Sequence, residues 1–367
     1  MKIECLKEKL QLAISSAERA TGKNLTLPIL ECIELQAKNN ILRIRATNLD
    51  LGLEIEMPVK VIEEGIVAVN GGILNSFLLN LTNDKNISLK TDSGNLIIST
   101  LSNSTTIKAV SCDDFPNIPL IEKDKVFNIS TKDFIEGLKS VWYSSSISSI
   151  KPELSSIFIY TDEDSLVFVA TDSFRLAEKK IKIKKGNDIS SILIPFKNVI
   201  EIIKILDTSI DSNISFFSNK NQLAIVFGGT YLISRIIDGV FPDYKQIIPK
   251  ELKTEAIVLK TDILNVLKIS NIFSDKFHQL SIKISPSSKA LKLKTKNNDI
   301  GENSSLLQAA LSGEDIEINF NYKYIIDCFQ SINTDSVSLQ FNGLNKPVVI
   351  RGVGDQSFMY LVMPMNR

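Results

Sequence analysis

The chain has 367 residues, 44% apolar and 23% charged, enough for a large core and for two or three domains. Lys plus Arg and Asp plus Glu number 42 each, so no global field advertises a polyanionic partner, and a nucleic-acid surface would require positive charge gathered onto one face. A charged start, no run of eighteen apolar residues, and Cys5, Cys32, Cys112 and Cys328 scattered without a C-x-x-C pair exclude a membrane span and a disulfide framework and lead us to expect a cytoplasmic protein with reduced thiols.

The first predicted element is a helix with the stripe Leu10, Ala13, Ile14 and Ala17. A strand over Ile41–Arg45 follows and leads through Ala46-Thr47-Asn48-Leu49-Asp50-Leu51 into a second strand over Leu53–Glu56. A second helix is entered from a strand at Val69–Leu78, with Leu74, Phe77, Leu78 and Leu81 on one face. Asp113-Asp114-Phe115-Pro116-Asn117 closes this stretch.

The same order then recurs. Ser130-Thr131-Lys132-Asp133 has capping-box spacing and opens a helix with the stripe Phe134, Gly137, Leu138 and Val141. Alternating runs at Ser156–Tyr160 and Ser165–Val169 lead to Ala170-Thr171-Asp172-Ser173-Phe174-Arg175-Leu176-Ala177, 124 residues after the similar segment at Ala46. Asp172 and Ser173 are turn formers, so a strand-turn-strand joint is expected that sets Phe174 and Arg175 at a sheet margin. Val199, Ile202, Ile203 and Leu206 repeat the second helix at a shift of 125, a strand follows over Gln222–Phe227, and Gly239-Val240-Phe241-Pro242-Asp243-Tyr244 closes the second stretch. The third has a helix with Ile263, Val266, Leu267 and Ser270, a strand over Ser281–Ile284, and a helix with Ile325, Cys328, Phe329 and Ile332, a further 126 residues on.

Three repeats of about 125 residues follow, with boundaries near 125 and 252: domains 1–125, 126–252 and 253–367. Each is read as α+β, two helices covering one side of an antiparallel sheet. Three such domains in line make an arc with two free ends, which symmetric self-association closes. Enzyme motifs are missing: there is no Walker A loop or nucleophile elbow, His278 has no triad context, and Gly352-Val353-Gly354 lacks a third glycine. We therefore expect a protein that is not an enzyme and needs no cofactor or metal.

Leu27-Pro28-Ile29-Leu30, the Ala170–Ala177 joint, Phe241-Pro242-Asp243-Tyr244, the helix start at Phe320-Asn321-x-x-Tyr324 and the terminal Tyr360-x-Val362-Met363-Pro364-Met365 resemble the bacterial sliding clamps, the beta subunits of DNA polymerase III, in order and spacing along the whole chain. The resemblance implies a head-to-tail homodimer of three-domain crescents that closes around double-stranded DNA without sequence specificity. It implies a processivity factor that tethers the DNA polymerase III catalytic subunit, the clamp loader and repair proteins bearing clamp-binding motifs.

A ring of this kind needs loose phosphate contacts and no base readout. The candidates are lysines on or beside the repeated helices: Lys9, Lys23, Lys139, Lys197, Lys204, Lys268 and Lys323. The family usually has an arginine in the loop where this chain has Gly22-Lys23-Asn24. The peptide pocket that the resemblance implies comprises Leu154, Thr171, Ser173, Phe174, Arg175, Leu176, Pro242, Gln246, Ile247, Asn321, Tyr324, Val362, Met363, Pro364 and Met365. The implied dimer contact joins Thr105 and Ile107 to Ile272 and Phe273. Departures from the family fall at Ser173-Phe174, where Gly-His is usual, at Lys245-Gln246, where basic residues are usual, and at the terminal Asn366-Arg367. The rival reading is a repeat-built adaptor that binds proteins and does not encircle DNA.

Overall fold

Every α-helix among the described residues is entered directly from a β-strand. The computed structural model describes residues 1–23, 26–82, 84–123, 125–184, 189–209 and 211–365. Strand Lys2–Leu6 runs into α1 (Lys7–Glu18), Gly65–Asn70 into α2 (Gly71–Asn80), and Phe127–Ser130 into α3 (Thr131–Val141). Ile192–Pro195 runs into α4 (Phe196–Asp207), Thr254–Leu259 into α5 (Lys260–Ile272), and Ile316–Asn321 into α6 (Tyr322–Asp327). Polar side chains at the switch points satisfy free helical N–H groups: Asn70 Oδ1 accepts from Ile73 at 3.0 Å, Ser130 Oγ from Asp133 at 3.4 Å, and Asn321 Oδ1 from Lys323 at 2.9 Å.

The apolar stripes are buried as their spacing requires, with Phe77 and Val266 only half-buried. The last helix differs from expectation. α6 ends at Asp327 and its stripe continues in a 3-10 turn, Cys328–Ser331, which keeps Cys328, Phe329 and Ile332 buried while tightening the final turn. Gly137 occupies a stripe position because a Cβ there would fall 2.3 Å from the ring of Phe168.

The chain divides into two compact units, Met1–Ile135 with Lys197–Asp238 and Glu136–Phe196 with Gly239–Arg367, so the middle third of the sequence is shared between them. In the first unit one antiparallel sheet of thirteen strands is joined where Leu51–Pro58 pairs with Thr230–Arg235, from Thr230 opposite Ile55 to Ser234 opposite Leu51. The second unit has a nine-stranded sheet joined where Arg175–Lys182 pairs with Phe358–Val362, from Arg175 opposite Val362 to Lys179 opposite Phe358. A separate four-stranded sheet orders Gly301–Leu307, Ala290–Asn297, Gln279–Ser285 and Ile316–Asn321.

The two seams follow one rule. In each, the strand that leaves a threonine-led joint pairs with the last strand of a later three-strand group, 213–235 in one and 336–362 in the other. Gly301–Leu307 and Ser104–Lys108 have no seam partner of this kind among the described residues: Gly301–Leu307 is one of several edge strands, and Ser104–Lys108 pairs only with Asn95–Ser99.

Candidate peptide groove and basic surface

The segment Thr171–Arg175 is a turn held by its own side chains. Thr171 donates its hydroxyl to the carbonyl of Arg175 at 2.6 Å and accepts the Ser173 N–H at 3.2 Å. Asp172 Oδ1 accepts the N–H groups of Phe174 (2.9 Å) and Arg175 (3.0 Å). Thr47–Leu51 repeats this bond for bond: Thr47 donates to the Leu51 carbonyl at 2.9 Å and accepts from Leu49, while Asn48 Oδ1 accepts from Asp50 and Leu51. The third residue of each turn is left-handed, Leu49 at φ 77° and Ser173 at φ 79°.

Asp172 also accepts from Arg175 Nε at 3.0 Å, and the other side of that guanidinium meets Asp327 while its face lies 4.6 Å from the centre of the Tyr324 ring. Tyr360 donates to the Tyr324 carbonyl at 2.9 Å, which fixes the helix segment to the strand paired with Arg175–Lys182. Arg175 therefore joins the joint to α6, with 11% of its side chain exposed. The chain after Val362 passes over this junction: Met363 donates its N–H to the Phe174 carbonyl and Met365 to the Asn319 carbonyl, both at 2.8 Å.

These bonds gather most of the expected pocket residues in one unit. Leu154, Thr171, Leu176 and Val362 are buried; Phe174 (61% exposed), Ile247 and Met363 present apolar surface; Arg175, Asn321, Tyr324, Pro364 and Met365 are half-buried. Ser173 and Gln246 are exposed, and Gln246 donates to Asp243 at 2.7 Å. Pro242 lines a different hollow of about 420 Å³ with Phe158, Tyr160 and Tyr244. The terminal Asn366-Arg367 lies outside the described residues. Sequence reasoning missed Asp327 and Tyr360 as supports of Arg175. Nothing local signals them, since 152 residues separate Asp327 from its partner.

All seven candidate DNA-facing lysines are exposed. Lys204 pairs with Glu201 at 2.8 Å. Lys23 lines a hollow of about 330 Å³ with Arg19, Glu18, Glu31 and Glu201, so carboxylates offset much of its charge. Arg19, at the end of α1, adds a cation that is not among the expected lysines. Of the expected dimer-contact residues, Ile272 is 64% exposed, Phe273 and Thr105 are half-buried, and Ile107 is 5% exposed. Alternation along Ser104–Val110 turns Ile107 into its own protomer's core, so that side chain has almost no apolar area left for a partner.

Burial pushes the thiols of Cys5, Cys32, Cys112 and Cys328 above their ordinary range, Cys5 to about 12; Cys32 and Cys328 are buried and Cys5 and Cys112 half-buried. Among the described residues no helix is long and apolar enough to cross a membrane, and no group of three or more His, Cys, Asp and Glu has a metal-binding arrangement.

Three family models match the chain in tandem: the DNA polymerase III beta subunit N-terminal domain over residues 1–119, its central domain over 128–243 and its C-terminal domain over 245–366. The chain belongs to the DNA polymerase III beta subunit family. It is 26% identical to the beta sliding clamp of Synechococcus elongatus over 372 residues, covering 100% of this chain and 99% of that one. The beta sliding clamp of Synechocystis is 27% identical over 389 residues at the same coverage. The crystal structure of the Thermotoga maritima beta subunit superposes with a TM-score of 0.94 at 25% identity, covering 100% of this chain and 99% of that one. Membership assigns the chain the family's role as a processivity factor of the replicative DNA polymerase, a role without catalysis, and does not favour the adaptor reading.

Proposed function

We propose that the chain performs this role by pairing head to tail with a second copy, closing a ring of six domains, two helices in each, around duplex DNA. The observation that carries the reading is the seam rule. Both threonine-led joints hand their following strand to the last strand of a later group, whereas Gly301–Leu307, the strand after Ala290–Asn297 in the third repeat, is left as an edge. Its counterpart by the same rule is Ser104–Val110, the last strand of the first group, which is open over Ser104–Lys108. Pairing these two edges between copies satisfies backbone groups that otherwise face solvent, and it repeats at both ends of the pair. Domain boundaries at 125 and 252 put one threonine-led joint in each of the first two repeats.

Within this reading the exposed lysines meet phosphates through solvent, and sequence plays no part. The groove around Thr171, Phe174 and Met363 takes short apolar peptide segments of the polymerase, the clamp loader and other clamp-binding proteins, with methionine adapting to different guests. Sedimentation tests the assembly. Wild type should run as a dimer, and Ile272→Glu with Phe273→Glu, next to the free edge, should give a folded monomer; an unchanged dimer in that variant contradicts the proposed contact.

A further inference from the structure

A hollow of about 360 Å³ opens on the second unit beside the groove, and its walls are unusually cationic: Lys180, Lys245, Lys250 and Arg351 against the single carboxylate of Glu178. Two of these charges are already engaged. Lys245 pairs with Asp162 at 3.1 Å, and Lys180 lies 3.8 Å from Glu178, whose other oxygen accepts the Tyr244 hydroxyl. Arg351 is different. Its Nε is buried with no hydrogen-bond partner, and one terminal nitrogen faces only the Met359 sulfur at 3.0 Å. Glu255, two strands away, accepts from Ser338 and Gln340. Among the described residues no carboxylate comes within 4 Å of Arg351 or Lys250. Arg351 thus brings to a cationic hollow a half-buried guanidinium that no carboxylate neutralises and whose buried Nε has no partner, a group that gains from an anion set against its terminal nitrogens.

We infer that this hollow receives an acidic side chain of the peptide bound in the adjacent groove; the inference rests on the groove reading above. Position supports it. Glu178 follows Leu176 by two residues on one strand, hence on the same sheet face about 7 Å away, and Ile248–Lys250 continue directly from Gln246–Ile247. An extended peptide anchored near Leu176 and Ile247 therefore brings a residue two or three places along to Arg351. Chemistry selects the ligand as a carboxylate. The planar fork of Arg351 matches one, whereas the Glu178 charge in the same hollow opposes a doubly charged phosphate.

The test uses a labelled hexapeptide of apolar residues, carrying two glutamates at either end or glutamines at both ends. At low salt the better glutamate version should bind the wild-type protein about tenfold more tightly than the glutamine version, the scale of a charge-assisted contact. Arg351→Gln should erase that gain and Lys250→Gln, at an exposed position, should reduce it, while both leave the glutamine peptide unaffected. Equal binding of acidic and neutral peptides, or a gain that survives Arg351→Gln, overturns the inference. If no version binds, the groove reading fails instead, and the hollow is judged by titrating diglutamate into the ¹⁵N-labelled protein. A shifted Arg351 Nε resonance upholds a carboxylate site there. An unmoved one, or tighter binding of inorganic phosphate, overturns it.

Discussion

Thr47 and Thr171 tie the same knot 124 residues apart, and the knot was legible because its bonds are local: a threonine, then Asn or Asp, whose side chains close a turn on the next three N–H groups. The left-handed residue inside it is a backbone position that favours glycine, and Ser173 occupies it at φ 79°. Leu49 adopts the same conformation with a branched side chain that is 57% exposed and so packs against little. Leu49→Gly should raise stability by about 1 kcal/mol, the cost of left-handed backbone for a residue with a Cβ, seen as a higher urea midpoint at constant m; a lower midpoint would show that the leucine side chain contributes more than the strain costs. Arg175→Ala leaves Asp172 and Asp327 facing each other across a partly buried gap, so we expect a loss of about 3 kcal/mol together with loss of peptide binding. Cys5 offers a pH test. Its thiol titrates near 12, above its ordinary value, so at pH 9 only about one molecule in a thousand is thiolate and alkylation should be slow, rising with pH and becoming fast on unfolding.

At the scale of elements, the 3.6-residue stripes identified the six α-helices among the described residues, because each buries one apolar face, even where, as at Ile73 and Leu79, apolar side chains also stand on the exposed face. Strands were less legible where both faces are covered. Leu166–Thr171 is buried throughout, and its apolar run carries no period that marks which side meets the helices. The sequence of Asn321–Ile332 gives no sign that the helix tightens after Asp327, since a 3-10 turn keeps nearly the same residues inside. Of the pocket, the joint and the terminal strand were readable as motifs, but the clamp of Arg175 by Asp327 and Tyr324 depends on tertiary approach. Deleting Met363–Arg367 removes the two backbone bonds to Phe174 and Asn319 and one side of the groove. A labelled clamp-binding peptide should then bind at least tenfold more weakly while the dimer mass is unchanged. Phe174→His should shift peptide preference by about 1 kcal/mol, the scale of an aromatic contact; unchanged affinity in both variants would move the site elsewhere.

At the scale of the whole molecule, threefold repetition was evident in the sequence, whereas the seams were not, because pairing of Leu51–Pro58 with Thr230–Arg235 leaves no local trace. Those seams turn repetition into a rule for assembly and identify the two strand edges that a second copy would occupy. The balance of 42 cationic and 42 anionic side chains bears on function as well: without a strong net field, retention on DNA falls to topology more than to attraction. Phosphate contacts weaken steeply with salt, and encirclement does not. The deciding measurement is retention of the loaded protein on closed circular duplex in high salt, before and after a single linearising cut. The account predicts that the protein stays on the circle and leaves promptly once free ends exist; equal retention on both, or loss from the intact circle as salt rises, would contradict it.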